Sequence, residues 1–266
     1  MAKPTKTAVP PSQQTQAPTT AGYDWSNSAN AGFENVQRED LGIPFLSIIQ
    51  KGSPQFDQDH DDYATKGIPG CGVGDIFNNV SNTVVAKAGA EVAFIPCQFQ
   101  KVFQEWTPRE KGGGLVKSHM SAAILNECQR NEQGRDILRN GNIIVTTAYF
   151  FGLLLIDGER QTAVIGLTST QLKKSKQWLN MAMSIKLTNA AGAKYTPPLF
   201  SHTYMLSTAV ESNEKGSWRG WNIKVGTALS DPVLIAEAMD YSKKAVGAQR
   251  QLSAPPPEEN VAAEVL

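Results

Sequence analysis

NIIVTTAYFFGLLLI (Asn142–Ile156) is followed by Asp157-Gly158 and then by ERQTAVIGL, which ends at Leu167. The first stretch is rich in β-branched and aromatic residues, which favour strands. An Asp-Gly pair between two apolar runs is typical of a tight hairpin turn. The sequence therefore predicts two antiparallel strands, one from Asn142 to Ile156 and its partner from Thr162 to Leu167.

Two further regions show strand patterns. From Val92 to Trp106 a largely apolar run predicts a strand whose residues alternate between two faces, and Pro96 within this run indicates an edge strand or a bulge. Farther along, His202–Val210 and Trp218–Val225 flank a polar stretch and predict a second hairpin. These regions predict a series of neighbouring antiparallel strands.

Helices are predicted at two places. Thr168, Ser169 or Thr170 can cap a helix that begins near Leu172, with Trp178 expected in the core. Asp231 is a favourable N-cap, followed by Pro232 at the first helical position, and this helix is expected to reach about Arg250. A weaker helical pattern covers His119 to Arg130.

Many short strands with a few inserted helices predict a mainly β (α+β) fold. The expected architecture is an OB-like antiparallel barrel or sandwich. Residues 1–31 are rich in Pro, Gln, Thr and Ser, and residues 251–266 form a Pro-rich, mildly acidic tail. Both segments are expected to be disordered because they contain too little apolar surface to offset their ordering entropy. Residues 32–250 are predicted to form a single core.

Composition and charge restrict the function. Lys plus Arg number 25 and Asp plus Glu number 25, so the net charge is zero and a purely electrostatic, histone-like binder is excluded. Three widely spaced cysteines favour a reducing compartment. The N-terminus has no apolar segment typical of a secretion signal, and no apolar run is long enough to cross a bilayer. We expect a soluble, cytoplasmic protein.

The sequence contains no convincing catalytic motif. Its three histidines lack metal-binding spacing, and no serine occupies a nucleophile-elbow pattern. Lys117-Ser118 resembles the end of a phosphate-binding loop, but Val116 occupies the position where that loop requires Gly. We therefore expect no enzymatic activity, no cofactor and no bound metal.

Aromatic and basic residues are interleaved in three groups. The first is a strand that leads into a glycine-rich loop, and it comprises Lys101, Phe103, Trp106, Arg109, Lys111 and Lys117. The second is on the first predicted helix and comprises Lys173, Lys174 and Lys176. The third is Trp218 and Arg219, which point to opposite faces if they lie on a regular strand. Aromatic rings can stack on unpaired bases while Lys and Arg contact phosphates, so these groups are candidate nucleic-acid-binding residues.

Each group also has a simpler interpretation. The first could be an ordinary hydrophobic strand that ends in a mobile loop, and the lysines of the second could form a solvated helix face. A strongly acidic stretch from Glu34 to Asp62 would allow a chain of zero net charge to carry a cationic groove elsewhere.

Several short segments resemble bacteriophage early-region proteins. They are Gly32–Val36, Asp40–Leu46, Ser53-Pro54, Gly74–Asn78 and Glu105-Trp106 ahead of a triple glycine. Among such proteins are podovirus single-stranded-DNA-binding proteins that serve replication and act as cofactors of the phage RNA polymerase. The resemblance implies an OB-like core, coating of single-stranded DNA in the host cytoplasm, and phage RNA polymerase or replication proteins as partners.

Two functions follow as hypotheses. The first is a phage single-stranded-DNA-binding protein that acts in replication or phage transcription, with self-association possible. The alternative is a phage structural or scaffolding protein without affinity for nucleic acid.

Overall fold

The computed structural model describes residues 31, 42, 44–214 and 216–247, and every element below belongs to the unit that begins at Gly42. The predicted disordered tails, and the core boundaries at residues 32 and 250, fall outside the described residues. The elements comprise thirteen strands and three α-helices among the described residues. The strands are β1 (Phe45–Ile48), β2 (Ile76–Asn78), β3 (Thr83–Ala86), β4 (Val92–Trp106), β5 (Leu115–His119), β6 (Gln129–Arg130), β7 (Asp136–Ile137), β8 (Ile143–Ile156), β9 (Glu159–Thr168), β10 (Leu187–Thr188), β11 (Lys194–Tyr195), β12 (His202–Asn213) and β13 (Gly216–Ala228). The helices are α1 (Tyr63–Lys66), α2 (Leu172–Ser184) and α3 (Pro232–Gly247).

Both predicted hairpins are confirmed. β8 pairs with β9 through ten consecutive residue pairs, from Thr147–Thr168 to Ile156–Glu159. Asp157 and Gly158 join the two strands with φ values of 50° and 81°, which is the left-handed backbone that a two-residue hairpin turn requires. β12 and β13 form the second hairpin, and these strands are longer than the sequence predicts.

The main sheet is curled into a half-barrel with the strand order β13-β12-β4-β8-β9-β1-β2-β3. Most neighbours are antiparallel, as predicted, but β1 runs parallel to β9 through Phe45–Val164 and Leu46–Ile165. The predicted antiparallel barrel or sandwich is therefore corrected to a mixed, mostly antiparallel half-barrel. The mainly β fold class is confirmed.

β4 is a central strand because it pairs with β8 along nearly its whole length. Its register shifts between Pro96 and Gln98, so Pro96 occupies a bulge. Opposite Pro96 lies Gly152, where an added Cβ would stand 2.1 Å from the carbonyl oxygen of Ile95. Both predictions for Pro96 agree with the structure, because it lies at a bulge and, among the described strands, only β8 pairs with β4 at this position.

The inner face of the half-barrel is filled by α2. Trp178, which is fully buried, stacks on Phe150 with ring centroids 4.0 Å apart. Phe94 and Tyr204 pack around the same indole at 6.0 and 5.5 Å. The prediction that Trp178 belongs to the core is confirmed, and this aromatic group anchors α2 to three strands.

The opposite face of β4 and β8 is covered by α3. Buried Ala238 and Ala245 of this helix pack against apolar side chains that include Cys97, Leu153 and Phe151. The N-cap is the one predicted, because Asp231 Oδ1 accepts a hydrogen bond of 2.9 Å from the backbone N–H of Val233. Burial raises the pKa of Cys97 to about 12, so this thiol stays protonated at neutral pH.

One helical prediction was wrong. The segment from His119 to Arg130 contains the end of β5, a 3₁₀ turn at Ala122–Glu127 and β6 instead of an α-helix. Pairing of β5 with β4 explains this error, because strand pairing overrides weak helical propensity. The helix predicted near Leu172 is confirmed as α2, which follows a 3₁₀ turn at Ser169–Gln171, and the side chains of Thr168 and Gln171 form no capping hydrogen bond.

No helix among the described residues is long and apolar enough to cross a membrane.

Candidate nucleic-acid interface

The first group of candidate residues lies on an extension of the main sheet, which we call the arm (residues 101–145). It comprises the end of β4, strands β5 to β7 and the start of β8. Leu115 of β5, Trp106 of β4, Ile143 of β8 and Ile137 of β7 stand side by side across it. The arm therefore presents two faces, with Trp106 on one of them.

Phe103 does not offer its ring to a ligand. Only 3% of it is exposed, and Nζ of Lys101 lies 5.5 Å from the ring centroid on the same face of β4. Its predicted stacking role is therefore corrected to packing within the arm, because the ring is already covered by protein atoms. Lys101 itself is exposed.

Trp106 is half-buried at the end of β4. Its Nε1 atom is buried and has no hydrogen-bond partner in the described part of the chain. Nε2 of Gln104, two residues earlier and on the same face, is in the same situation. An unsatisfied buried donor is costly, so this end of the arm carries two uncompensated polar groups.

The arm carries exposed cations on its strands and turns. Those predicted from sequence are Lys101, Arg109, Lys111 and Lys117, and the structure adds exposed Arg130 and Arg139 and half-buried Arg135. Among the described residues, no carboxylate forms an ion pair with Lys101, Lys111, Lys117, Arg130 or Arg139. Sequence reasoning missed the three arginines because they have no aromatic neighbours, although their clustering within ten residues was a visible signal.

The turn between β4 and β5 lies against the turn that precedes β8. Gly112, Gly113 and Gly114 all have positive φ values, from 65° to 107°, which the sharp reversal requires. The amine of Lys111 lies against Gly141, since a Cβ added there would stand 3.0 Å from Nζ. The cations of the β4–β5 turn thus lie beside the turn that precedes β8.

The carboxylate at the centre of the arm is buried and satisfied. Glu105 is 8% exposed and accepts hydrogen bonds from Asn142 at 2.6 Å, His119 at 2.9 Å and Asn140 at 3.3 Å. Hydrogen bonds from Asn142 and His119 hold the pKa of Glu105 below its ordinary value. This negative charge is therefore enclosed by protein donors, whereas the cations around it face outward.

The second and third groups meet at another carboxylate. Glu211 of β12 pairs with Lys174 of α2 at 2.8 Å and accepts hydrogen bonds from Gln171 at 2.8 Å and from the indole N–H of Trp218 at 3.1 Å. We call these four residues the Glu211 cluster. Burial raises the pKa of Glu211, but hydrogen bonds from Lys174 and Gln171 outweigh it and leave the pKa below its ordinary value.

Only part of these two groups faces outward. Lys173 and Lys176 are exposed on α2, whereas Lys174 and Trp218 are committed to Glu211. The side chain of Arg219 is half-buried against Gly74, where an added Cβ would stand 3.1 Å from its Cδ. Trp218 and Arg219 thus have different neighbours, in keeping with the prediction that they point to opposite faces.

The arm and the Glu211 cluster are far apart. Leu206 of β12 stands opposite Val92, the first residue of β4. From Leu206, β12 continues beyond the start of β4 as far as Glu211, which stands opposite Trp218 of β13. Trp106 is the last residue of β4. At roughly 3.3 Å per residue, Trp106 and Trp218 are about 60 Å apart along the strands. The predicted residues therefore form two surfaces and not one groove.

Among the described residues, no group of His, Cys, Asp and Glu has an arrangement that could hold a metal ion. An open cleft of about 430 Å³ lies within the arm and is lined by Lys117–Ser121, Ile124 and Glu127.

A curled, mixed β half-barrel extended by the arm defines the structural class of this protein. Comparison with known families gives the family: the chain belongs to the Pam3 phage gp34-like proteins, whose family model matches residues 12–251. It is thus a member of a bacteriophage protein family. No curated protein and no solved structure matches the chain.

Proposed function

We propose that this chain is a non-enzymatic, single-stranded-DNA-binding protein of a bacteriophage, and that the arm is its principal contact surface. The single observation that carries the proposal is the charge arrangement of the arm. Its exposed Lys101, Lys111 and Lys117 have no ion-pair partner among the described carboxylates, although exposed Glu110, Glu127 and Glu132 lie on the same arm, and Glu105 is buried. Unpaired cations are available to neutralise phosphates, which is the main source of affinity in such proteins.

Trp106 supplies the stacking element of this proposal. Stacking of a base on an aromatic side chain contributes roughly 1–3 kcal/mol and depends little on base identity. The three glycines of the neighbouring turn allow the backbone to approach a flexible strand closely. Unpaired bases are accessible to such a ring, whereas bases in a duplex are stacked on each other, so the arm would favour single strands.

The exposed lysines of α2 have a secondary role in this proposal. Exposed Lys173 and Lys176 would contact phosphates of the same DNA farther along, while Lys174 stays paired with Glu211. Replication and phage transcription in the host cytoplasm are the settings in which the protein would meet unpaired DNA. Replication proteins or the phage RNA polymerase are its proposed partners there.

The test is a titration of fluorescently labelled oligo-dT with the full chain, read by fluorescence anisotropy at low and at moderate salt. A triple variant, Lys101→Gln, Lys111→Gln and Lys117→Gln, removes three positive charges from the arm. Its matched control, Lys51→Gln, Lys194→Gln and Lys243→Gln, removes three exposed lysines elsewhere. The arm variant should bind at least tenfold more weakly than wild type, and the control should bind within threefold of it.

No binding to oligo-dT by micromolar wild-type protein at low salt would refute the proposal. Equal losses in the two triple variants would refute the arm as the contact surface. Stoichiometric presence of a non-binding protein in purified phage particles would instead support a structural or scaffolding role.

A further inference from the structure

β13 is the edge strand of the main sheet: β12 pairs with one side of it, and no described strand pairs with the other side. In an antiparallel pair, alternate residues direct both the N–H and the C=O away from the partner strand. Arg219 and Trp221 are such residues, because Gln50 binds both backbone groups of Arg219 and Gln171 accepts from the N–H of Trp221. The register with β12 continues without a shift to Val225, so Ile223 and Val225 also direct their backbone groups outward.

These outward groups are not covered in the described part of the chain. Gln50 bonds both outward groups of Arg219, and Gln171 accepts from the N–H of Trp221, but no described residue bonds the outward groups of Ile223 or Val225. The side chain of Val225 is 41% exposed. An exposed edge of this kind is a template on which another strand can pair.

The charge that would oppose pairing at this edge is already neutralised. Lys224 is the one charged residue between Asn222 and Ala228, and lysines on edge strands normally prevent edge-to-edge association. Here its Nζ lies 2.7 Å from Oε1 of Glu91 within the same chain. The edge therefore carries almost no net charge.

We propose that the β13 edge from Ile223 to Val225 pairs with the same edge of a second copy of this chain. The two strands run antiparallel about a two-fold axis that passes between the Lys224 residues. Ile223 of each copy then stands opposite Val225 of the other, and the outward N–H and C=O groups form two complete hydrogen-bonded pairs. The two half-barrel sheets become one continuous sheet across the axis.

A second copy fits this edge better than a nucleic acid or a charged peptide. The edge has no unpaired charge with which to attract phosphates or an acidic or basic segment. It is instead self-complementary, since the residues that direct their backbone groups outward are two apart and so pair with each other under two-fold symmetry. With only two such residues on each side, the interface is small and the dimer should dissociate reversibly with dilution.

The test is sedimentation equilibrium of the full chain without DNA over a wide concentration range, so its outcome does not depend on DNA binding. Wild-type protein should show a monomer–dimer equilibrium. Val225→Pro removes one outward N–H and leaves the ladder with β12 intact, and it should weaken the dimer at least tenfold. Val210→Pro is the matched control, because exposed Val210 lies on the other strand of this hairpin and directs its N–H away from β13.

A second pair of variants keeps the test decisive if either proline variant unfolds. Val225→Lys places an unpaired charge at the edge and should weaken the dimer, whereas Val210→Lys should not. Glu91→Gln should also weaken the dimer, and added salt should restore it, because two Lys224 charges would then face each other across the axis. A wild-type protein that stays monomeric at the highest concentration, or equal effects at Val225 and Val210, would overturn the proposal.

Discussion

The side-chain amide of Gln50 forms two hydrogen bonds with the backbone of Arg219, accepting from the N–H and donating to the C=O, each at 2.9 Å. The amide thus occupies the place of a neighbouring strand at the edge of β13. Gln50 follows β1, which lies near the opposite end of the sheet order, so this contact draws the two ends of the half-barrel together. At the same place, Thr208 donates a hydrogen bond of 2.6 Å to the carbonyl of Gly74.

Gln50→Ala should therefore destabilise the protein. Loss of the amide leaves the N–H and C=O of Arg219 without partners in a half-buried position, which costs about 1–3 kcal/mol. Urea denaturation followed by circular dichroism measures the change. Gln177→Ala, on the exposed face of α2, is the control and should change stability by less than about 0.5 kcal/mol. Equal effects of the two substitutions would show that the Gln50 amide does not hold the edge of β13.

Gly152→Ala should destabilise the protein more strongly. The added Cβ would stand 2.1 Å from the carbonyl oxygen of Ile95 and 2.5 Å from the ring of Phe94, and a central strand has little freedom to move. We expect a loss of at least about 3 kcal/mol or failure to fold. Gly52→Ala, where an added Cβ meets nothing within 4 Å, should leave the thermal midpoint nearly unchanged. Normal stability of the Gly152 variant would mean that β4 and β8 are farther apart than described.

Glu105→Gln should remove a pH-dependent contribution to stability. The pKa of Glu105 is lower in the folded protein than its ordinary value, so this group stabilises the fold above the unfolded pKa of about 4.3. That contribution is lost as the pH falls through the lower, folded-state pKa. At pH 7 the variant should be less stable by about 2 kcal/mol, and the difference should shrink in acid.

Urea denaturation at pH 7 and near pH 3 measures this effect. Glu110→Gln on the exposed β4–β5 turn is the matched control and should follow the wild-type profile. A constant difference between the Glu105 variant and wild type at both pH values would contradict the prediction.

Trp106→Ala should mainly weaken DNA binding, whereas Trp178→Ala should mainly lower the stability of the fold. Trp178 is fully buried among three aromatic rings, so its truncation should cost about 3–5 kcal/mol of stability. Truncation of half-buried Trp106 should weaken binding to oligo-dT by about 1–3 kcal/mol. Both variants are compared at a temperature where circular dichroism shows them folded, and binding is read by anisotropy. A larger binding loss for Trp178→Ala would refute the assignment of Trp106 to the interface.

Lys117→Gln should reduce the salt dependence of DNA binding. Each phosphate contact on a single strand contributes about 0.7 to the slope of log K against log salt concentration. Loss of one contact should lower the slope by about that amount, with a similar weakening on all sequences. Lys66→Gln is the control, since Lys66 pairs with Asp62 at 2.8 Å and lies outside the arm. An unchanged slope for the Lys117 variant would remove this lysine from the proposed interface.

Local patterns predicted the elements correctly where neighbouring residues decide the conformation. Asp157-Gly158 specifies a tight turn through its backbone preferences, and Asp231 with Pro232 specifies the start of α3. The apolar run from Val92 to Trp106 forms one long strand that is buried on both faces over most of its length. In the segment from His119 to Arg130, by contrast, the helical pattern was weak and pairing of β5 with β4 prevailed.

The sequence by itself determined that the protein is mainly β, where its two long hairpins turn, and that Trp178 is in the core. Only the tertiary structure decided that β1 runs parallel to β9 and that the side chain of Gln50 hydrogen-bonds the backbone of Arg219, 169 residues away. It also decided that Lys174 of α2 and Trp218 of β13 both bind the carboxylate of Glu211. The physical reason is the distance along the sequence over which each effect acts. Backbone propensity and side-chain periodicity act within about ten residues. Strand order and shared polar partners depend on how the whole apolar surface is buried at once.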